Sequence, residues 1–367
     1  TAVGNLLPAV MEASHSRVGL VVVSADRPAA LVGFGANQTT DQVGIFGGFV
    51  RYAARVTSAA GPATWAAQAA RACVAAASGP VHLNVELDVP LVPTESDVPL
   101  VPSGAAVPLR RPDSAVPAAV ELPAGPRTVI VAGDGPPAVG AAAIDLARAA
   151  GLPLIAEPSS NARVAPALRC GRLVLGTSLA AEVERVVVFG HPTLSRPVMR
   201  LLARADVEVI AVADGDWPDP GHRVRLVVPA VAIPPSDPAW LRRWADADAA
   251  ASERVDAVLA EAASTPMDPR ETASTPSGPL DVRTALTGWA LADAVWRAAS
   301  GLPLVIGSSQ PIRDADLAPI AERPPVVYAN RGLAGIDGTV STAAGIALAT
   351  GRPTILLCGD LTFGHDG

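Results

Sequence analysis

Short runs of β-branched and aliphatic residues recur along the whole chain, at Val18 to Ser24, Val81 to Val85, Thr128 to Gly133, Val186 to Phe189, Val207 to Val212, Leu304 to Ser308 and Thr354 to Asp360. Alanine-rich stretches of helical period lie between several of them, at Thr64 to Ala77, Pro137 to Ala150, Leu286 to Ala299 and Thr339 to Ala349. This is βα alternation. The runs are continuously apolar rather than alternating, which suits parallel strands covered on both faces, so the sequence predicts an α/β chain of open, doubly wound parallel sheets. With half of the residues hydrophobic and only 17% charged, a disordered chain is excluded. No apolar stretch approaches the roughly 18 residues of a membrane span, and the start Thr1-Ala2-Val3-Gly4-Asn5 lacks the basic region of a secretion signal; the reading is therefore a cytoplasmic protein without a membrane partner.

Two proline-rich segments interrupt the alternation. Residues 91–125 carry Pro93, Pro99, Pro102, Pro108, Pro112, Pro117 and Pro123, a density that regular elements do not tolerate, and residues 264–280 form a second such stretch. They divide the 367 residues into units 1–90, 126–263 and 281–367. The outer two hold fewer strands than a complete doubly wound sheet needs, so the first and last domains are expected to be incomplete and the chain to be a piece of a longer protein.

All 28 basic residues are arginine. Schiff-base enzymes and Walker-type phosphate loops need a lysine and find none here. A net charge of −7 with scattered arginines argues against a nucleic-acid partner. Cys73, Cys170 and Cys358 are far apart and share no zinc spacing with histidine, so they read as reduced core thiols.

Ligands of open α/β sheets bind beyond the carboxyl ends of the strands, which singles out four places. In Ser24-Ala25-Asp26-Arg27-Pro28, Pro28 holds Arg27 extended at a strand end, and the glycine-rich turn with Asn37 and Gln38 follows at once; an Asp–Arg structural pair beside an ordinary loop is the alternative. In Gly307-Ser308-Ser309-Gln310-Pro311-Ile312-Arg313, Pro311 suits the first turn of a helix that brings Ser309 and Arg313 together for a carboxylate, the alternative being a plain Ser309 N-cap. The loop Asn330 to Gly338 combines Arg331 with closely spaced glycines and an apolar Ile336 able to press on a flat cofactor. Gly359-Asp360 after a strand offers a carboxylate to Mg²⁺ on a diphosphate. A competing turn, Gly133-Asp134-Gly135 with Asn161 downstream, fits a loose thiamine-diphosphate pattern better than Gly359-Asp360, departs from the nucleotide fingerprint in its prolines, and reads as a strand-to-helix connection. The histidines share no ligand or triad spacing, and His82 falls inside a strand.

Taken together, SADRPAALVGFGANQTTDQVGIFG (Ser24 to Gly47), GPVHLNVELDVPLVP (from Gly79), HPTLSRPV (His191 to Val198), NRGLAGIDGTVSTAAG (Asn330 to Gly345) and GDLTFGHD (Gly359 to Asp366) resemble one family. It is the thiamine-diphosphate-dependent 2-succinyl-5-enolpyruvyl-6-hydroxy-3-cyclohexene-1-carboxylate synthase of menaquinone biosynthesis. The resemblance runs nearly end to end and implies three domains of the thiamine-diphosphate-enzyme type, binding pyrimidine, nothing catalytic, and diphosphate in turn. It implies a homodimer or homotetramer with sites at the subunit interface, thiamine diphosphate and Mg²⁺ or Mn²⁺ as cofactors, and dicarboxylate small molecules as substrates: a transferase that decarboxylates 2-oxoglutarate and adds the succinic-semialdehyde carbanion to isochorismate. By the same resemblance Arg27, Asn37, Ser309, Arg313 and Arg331 bind substrate and Gln38 lies on the substrate side as a catalytic group. Ile336 is the aliphatic wedge that bends the cofactor, and Gly359 and Asp360 hold it, Asp360 as metal ligand. The family's activating glutamate lies upstream of Thr1 and its metal-completing asparagine beyond Gly367, so the 367-residue chain alone is expected to be inactive. The alternatives are an acetolactate-synthase-like thiamine-diphosphate enzyme and a non-catalytic nucleotide-binding module built on Gly133 to Gly135.

Overall fold

The computed structural model describes residues 1–89, 118–215, 217–264 and 287–366. Of the two proline-rich segments, only 118–125 and the backbone of Ser264 fall within that range, so the expected linkers lie essentially outside the described residues. The chain divides into two units, residues 1–115 with 330–334, and residues 116–329 with 335–367.

In the first unit α1 (Leu7–His15), β1 (Leu20–Asp26), β2 (Tyr52–Val56), α2 (Gly61–Ala75) and β3 (Pro80–Glu86) build a three-stranded parallel sheet of order β1-β3-β2. The register sets Ser24 beside Asn84 and Asp26 beside Glu86. Because side chains alternate across a strand, β3 sends Val81 and Leu83 towards Ala72 of α2, and His82 and Asn84 to the other face. There Val22 packs with Val10 of α1 and Phe46. β2 has no counterpart among the predicted strands: its Tyr-Ala-Ala-Arg-Val pattern carries too little apolar contrast to announce one.

The second unit opens with β4 (Val120–Glu121), β5 (Thr128–Ala132), α3 (Pro137–Ala150), β6 (Leu154–Ala156), β7 (Ala167–Leu168), α4 (Gly171–Val174), β8 (Arg185–Phe189), α5 (Arg196–Leu202), β9 (Glu208–Val212), β10 (Val224–Val228), β11 (Val231–Ala232) and α6 (Pro238–Ser264). It continues with α7 (Gly288–Ala298), β12 (Pro303–Ile306), α8 (Gln310–Ala315), β13 (Val326–Tyr328), α9 (Thr339–Thr350), β14 (Ile355–Leu357) and α10 (Asp360–His365). A six-stranded parallel sheet runs β10-β9-β8-β5-β6-β7, which is the doubly wound order with its switch point between β5 and β8. Alternate residues feed two cores. Ile130, Val187 and Ile210 face α3, whereas Val129, Val131, Val186 and Val209 face Trp240 and Trp244 of α6. α3 begins on Pro137 and ends at Gly151, whose φ of 64° gives the left-handed cap that a side chain disfavours. A second parallel sheet, β13-β12-β14, packs Leu304 and Ile306 against Trp296 of α7 and Ile312 of α8.

The parallel α/β architecture agrees with the expectation from sequence. The cysteines agree only in part: all three are free thiols, but Cys170 alone is buried, Cys358 is half-buried and Cys73 is exposed on α2. Among the described residues no helix is long and apolar enough to cross a membrane.

Candidate active site

Candidate residues occur in both units. In the first unit, β1 ends on Asp26 and delivers Arg27 at its carboxyl end. The Asp26 carboxylate does not pair with the Arg27 guanidinium. It accepts the backbone N–H of Arg27 at 2.8 Å and the Asn84 amide at 2.8 Å, and the guanidinium instead donates through Nη2 to Gln38 Oε1 at 3.1 Å. Gln38 sits at φ 62° after a turn whose Gly33 and Gly35 are also left-handed, and Asn37 is exposed beside it. Arg27, Asn37 and Gln38 are thus presented on one strand-end and its loop.

Behind them lies a buried polar chain. Ser24 Oγ donates to Asn84 Oδ1 at 2.8 Å and meets His82 Nε2 at 2.7 Å. Since Asn84 Oδ1 only accepts, the Ser24 proton goes there and His82 must carry its proton on Nε2. The direction of donation therefore runs from His82 through Ser24 and Asn84 to Asp26. Burial holds the His82 imidazole below its ordinary pKa, against a backbone hydrogen bond with Val43 that acts the other way. Burial acts to raise the Asp26 carboxyl, but hydrogen bonds from Asn84, Gln42 and the Arg27 N–H, with the charge of Arg55, outweigh it and hold the group below the usual carboxylate range.

Arg331 belongs to the same unit and is buried. Its loop is fixed by a residue to which the sequence does not point. The Glu12 carboxylate on α1 accepts the backbone N–H of Gly332 and of Leu333, both at 2.8 Å, and the Ser16 hydroxyl at 2.8 Å. A Cβ at Gly332 would overlap Ser16 Oγ, the Glu12 carbonyl and His15, so only glycine allows this approach.

In the second unit the site residues follow the carboxyl ends of β12 and its neighbour β14. β12 leads through Ser308 and Ser309 into α8, and β14 leads through Gly359 into α10, with Gly307 N–H donating to Leu357 O at 2.8 Å between the two exits. Ser309 precedes α8 without a side-chain capping bond, so the plain N-cap reading does not hold. Arg313 is exposed and curls back to donate to the Ser309 carbonyl at 2.6 Å. Ile336 is half-buried in the loop before α9. That loop is pinned by Asp366, the last residue of the GDLTFGHD motif, whose carboxylate accepts Gly338 N–H at 2.9 Å and Ser341 N–H at 2.8 Å. Asp360 is exposed at the first position of α10, and the space beside Gly359 is open.

Among the described residues no three histidines, cysteines or carboxylates gather as a metal centre. A lone exposed carboxylate beside open space fits a hard cation that takes most of its oxygens from a bound diphosphate, which is how Mg²⁺ is commonly held. The competing turn is different. At the switch point between β5 and β8, Asp134 and His191 bridge their backbones (Asp134 N–H to His191 O at 3.0 Å, His191 N–H to Asp134 O at 2.8 Å). A Cβ at Gly133 would strike the Pro192 backbone and one at Gly190 the Asp134 carbonyl, so backbone fills the crevice where a nucleotide would lie.

The chain matches no family model. It is 48% identical over its whole length to the 2-succinyl-5-enolpyruvyl-6-hydroxy-3-cyclohexene-1-carboxylate synthase of Nocardioides sp., covering 64% of that protein, and 46% identical to the synthase of Kineococcus radiotolerans, covering 65%. Against the synthase of Leifsonia xyli subsp. xyli it is 38% identical over its whole length and covers 68%. The chain thus spans a little under two thirds of the length of the first two of these relatives. With identity of this order sustained from end to end, the chain belongs to the 2-succinyl-5-enolpyruvyl-6-hydroxy-3-cyclohexene-1-carboxylate synthase family.

Proposed function

We propose that the protein carrying this chain makes 2-succinyl-5-enolpyruvyl-6-hydroxy-3-cyclohexene-1-carboxylate from 2-oxoglutarate and isochorismate in menaquinone biosynthesis. It does so in the cytoplasm, as a homodimer or homotetramer with sites shared between subunits. In this reading residues 1–90 are part of a pyrimidine-binding domain, 126–263 a central domain and 281–367 part of a diphosphate-binding domain. The observation that carries the proposal is the concentration of guanidinium groups at strand ends in a chain of this family: Arg27 after β1, and Arg313 on the helix that follows β12. Both substrates are dicarboxylates, and arginine offers a planar fork of donors matched to a carboxylate.

Thiamine diphosphate, when bound, supplies the nucleophilic carbon and electron sink that a 2-oxo acid needs in order to lose carbon dioxide. Asp360 and Gly359 would hold its diphosphate through Mg²⁺ or Mn²⁺, and Ile336 would set its bend from the loop pinned by Asp366. Arg27, Arg313 and Arg331 would bind substrate carboxylates, with Ser309 and Asn37 as neutral donors at their side. Gln38, oriented by its bond to Arg27, would donate to the reacting substrate. Excluding water around these groups strengthens each charged contact and turns affinity into orientation.

The test is turnover by the complete protein with 2-oxoglutarate, isochorismate, thiamine diphosphate and Mg²⁺, followed as product formation and carbon dioxide release, with pyruvate as the competing donor. The proposal expects 2-oxoglutarate to be used and pyruvate refused. Preference for pyruvate would assign the protein to the acetolactate-synthase-like alternative.

A further inference from the structure

Three arginines within one short stretch of the six-stranded-sheet region converge on the far end of α8. Arg172 Nη2 donates to the Arg313 carbonyl at 3.3 Å, Arg169 Nε to the Leu317 carbonyl at 3.0 Å, and Arg163 Nη2 to the Ala318 carbonyl. The Asp316 carboxylate, buried at the end of the same helix, lies 3.1 Å from Arg172 Nε and 3.9 Å from Arg163 Nη1.

The carboxyl end of a helix carries partial negative charge and unpartnered carbonyls. Arg172 answers one such carbonyl, that of Arg313 inside α8, and Arg169 and Arg163 hold the carbonyls of Leu317 and Ala318 in the segment that leaves it. The arginines are themselves fixed. Arg163 also donates to the Ala156 carbonyl at 3.0 Å and lies over the Trp296 ring at 5.6 Å, while Arg169 pairs with Asp256 of α6 at 2.7 Å. Burying Arg163 almost completely costs free energy that a well-packed apolar side chain would not, so its charge has to be answered by the groups it grips. Burial pushes the Arg163 pKa down, and the Asp316 charge acts in the other direction.

We infer that Arg163, Arg169 and Arg172 are positioning residues that set the placement of α8 and hence of the Ser309–Arg313 pair at its other end. They would tie a region without substrate contacts to the capture of a substrate carboxylate. The inference rests on the reading of Ser309 and Arg313 as carboxylate binders. It extends that reading to residues that touch no substrate.

Arg172 is the arginine to change, because it is the least enclosed of the three and its loss leaves Arg163 to answer Asp316. Arg172→Gln and Arg172→Lys are made in the complete protein, with Arg243→Gln, which breaks an exposed pair with Glu182, as control. Two readouts are taken: amide hydrogen exchange over residues 313–318, and KM against kcat for 2-oxoglutarate. The expectation for Arg172→Gln is exchange and KM each raised about tenfold with kcat within about twofold, the size of one lost charge-assisted hydrogen bond. Arg172→Lys should recover part of both, and Arg243→Gln neither. Faster exchange without a change in KM, or unchanged exchange, overturns the inference. If the wild-type protein does not use 2-oxoglutarate, the functional reading fails by itself. Exchange over 313–318 still decides whether Arg172 holds α8.

Discussion

Glu157, directly after β6, is fully enclosed, and its carboxylate accepts the backbone N–H of Leu194 at 2.9 Å, Thr193 at 3.1 Å and Ser195 at 3.2 Å. Burial disfavours its charge, the three N–H groups favour it, and the nearby Asp316 carboxylate opposes it. The balance lifts its pKa to about 7 from an ordinary value of 4.5. Between those two values the folded chain keeps a proton that the unfolded chain has released, so stability falls as pH rises, and the loss is complete above about 7. At roughly 1.4 kcal/mol per pH unit across that interval, the group removes about 3 kcal/mol between pH 4.5 and pH 7. In Glu157→Gln the side chain cannot ionise. It still offers one carbonyl oxygen to Leu194 and Ser195, but turns an N–H towards that of Thr193, at a cost of roughly 1–2 kcal/mol that does not vary with pH. The two stability curves should therefore cross: wild type more stable near pH 4.5, the variant more stable at pH values above about 7. Urea denaturation of the 367-residue chain at closely spaced pH values measures this. Asp316, whose carboxyl is also raised by burial, contributes a similar slope to both proteins and cancels to first order in the difference. Parallel curves for wild type and variant would refute the reasoning.

Other expected outcomes are more local. Ser24→Ala strands the buried Asn84 Oδ1 and the His82 Nε2 proton together, and should cost roughly 2–4 kcal/mol in chemical denaturation. Gly332→Ala drives a methyl group into the backbone of α1 and should destabilise the first unit by about 1–3 kcal/mol, read as a lower thermal midpoint. In the complete protein, Arg313→Ala should raise KM for 2-oxoglutarate about a hundredfold while leaving any residual rate with pyruvate almost unchanged, which steady-state kinetics separates. Calorimetry of the 367-residue chain with ATP or NAD should show no heat of binding, because the switch-point crevice is filled by backbone; micromolar affinity would revive the nucleotide-module alternative.

What is legible in the sequence is what repeats locally. Arg27, Ser309, Arg313 and Asp360 stand out because each follows an apolar run, and strand ends are where such sheets bind ligands. Glu12 and the trio Arg163, Arg169 and Arg172 do not, and Asp366 does so only as the end of the GDLTFGHD motif, without a stated role. Their partners are backbone groups brought near by folding, in one case 320 residues away, and a carbonyl or N–H has no letter in the sequence. The same limit explains the elements that the pattern misses. β6 and β13 are three residues long and each follows directly on proline, which cuts short the apolar run that would announce it, whereas β14, of the same length, runs on into Cys358. In α6 alanines dilute the contrast between its faces, so Pro238 to Ser264 is not among the helical stretches the pattern announces, although Trp240 and Trp244 pack into the core from it.

The region built on the six-stranded sheet has the doubly wound strand order, with two loops bridged at its switch point. Gly133 and Gly190, placed where such folds admit a ligand, instead let two loops close on each other through the Asp134–His191 bridge. Just beyond, Asn161 takes a left-handed conformation at φ 55° and treats β13 as a neighbouring strand would, accepting Val327 N–H at 2.9 Å and donating to Val327 O at 3.1 Å. The same amide also donates to the Gly135 carbonyl at 2.9 Å, which locks the closed turn to that contact. From residues 161–172, Asn161 thus grips β13 of the β13-β12-β14 sheet and the three arginines grip α8 and the segment that follows it. Both act through backbone polar groups, whose positions are set by the fold rather than by side-chain rotamers. Substitutions in this stretch should therefore displace whole elements and not single contacts. On the inference drawn above, that displacement would reach Ser309 and Arg313 through α8.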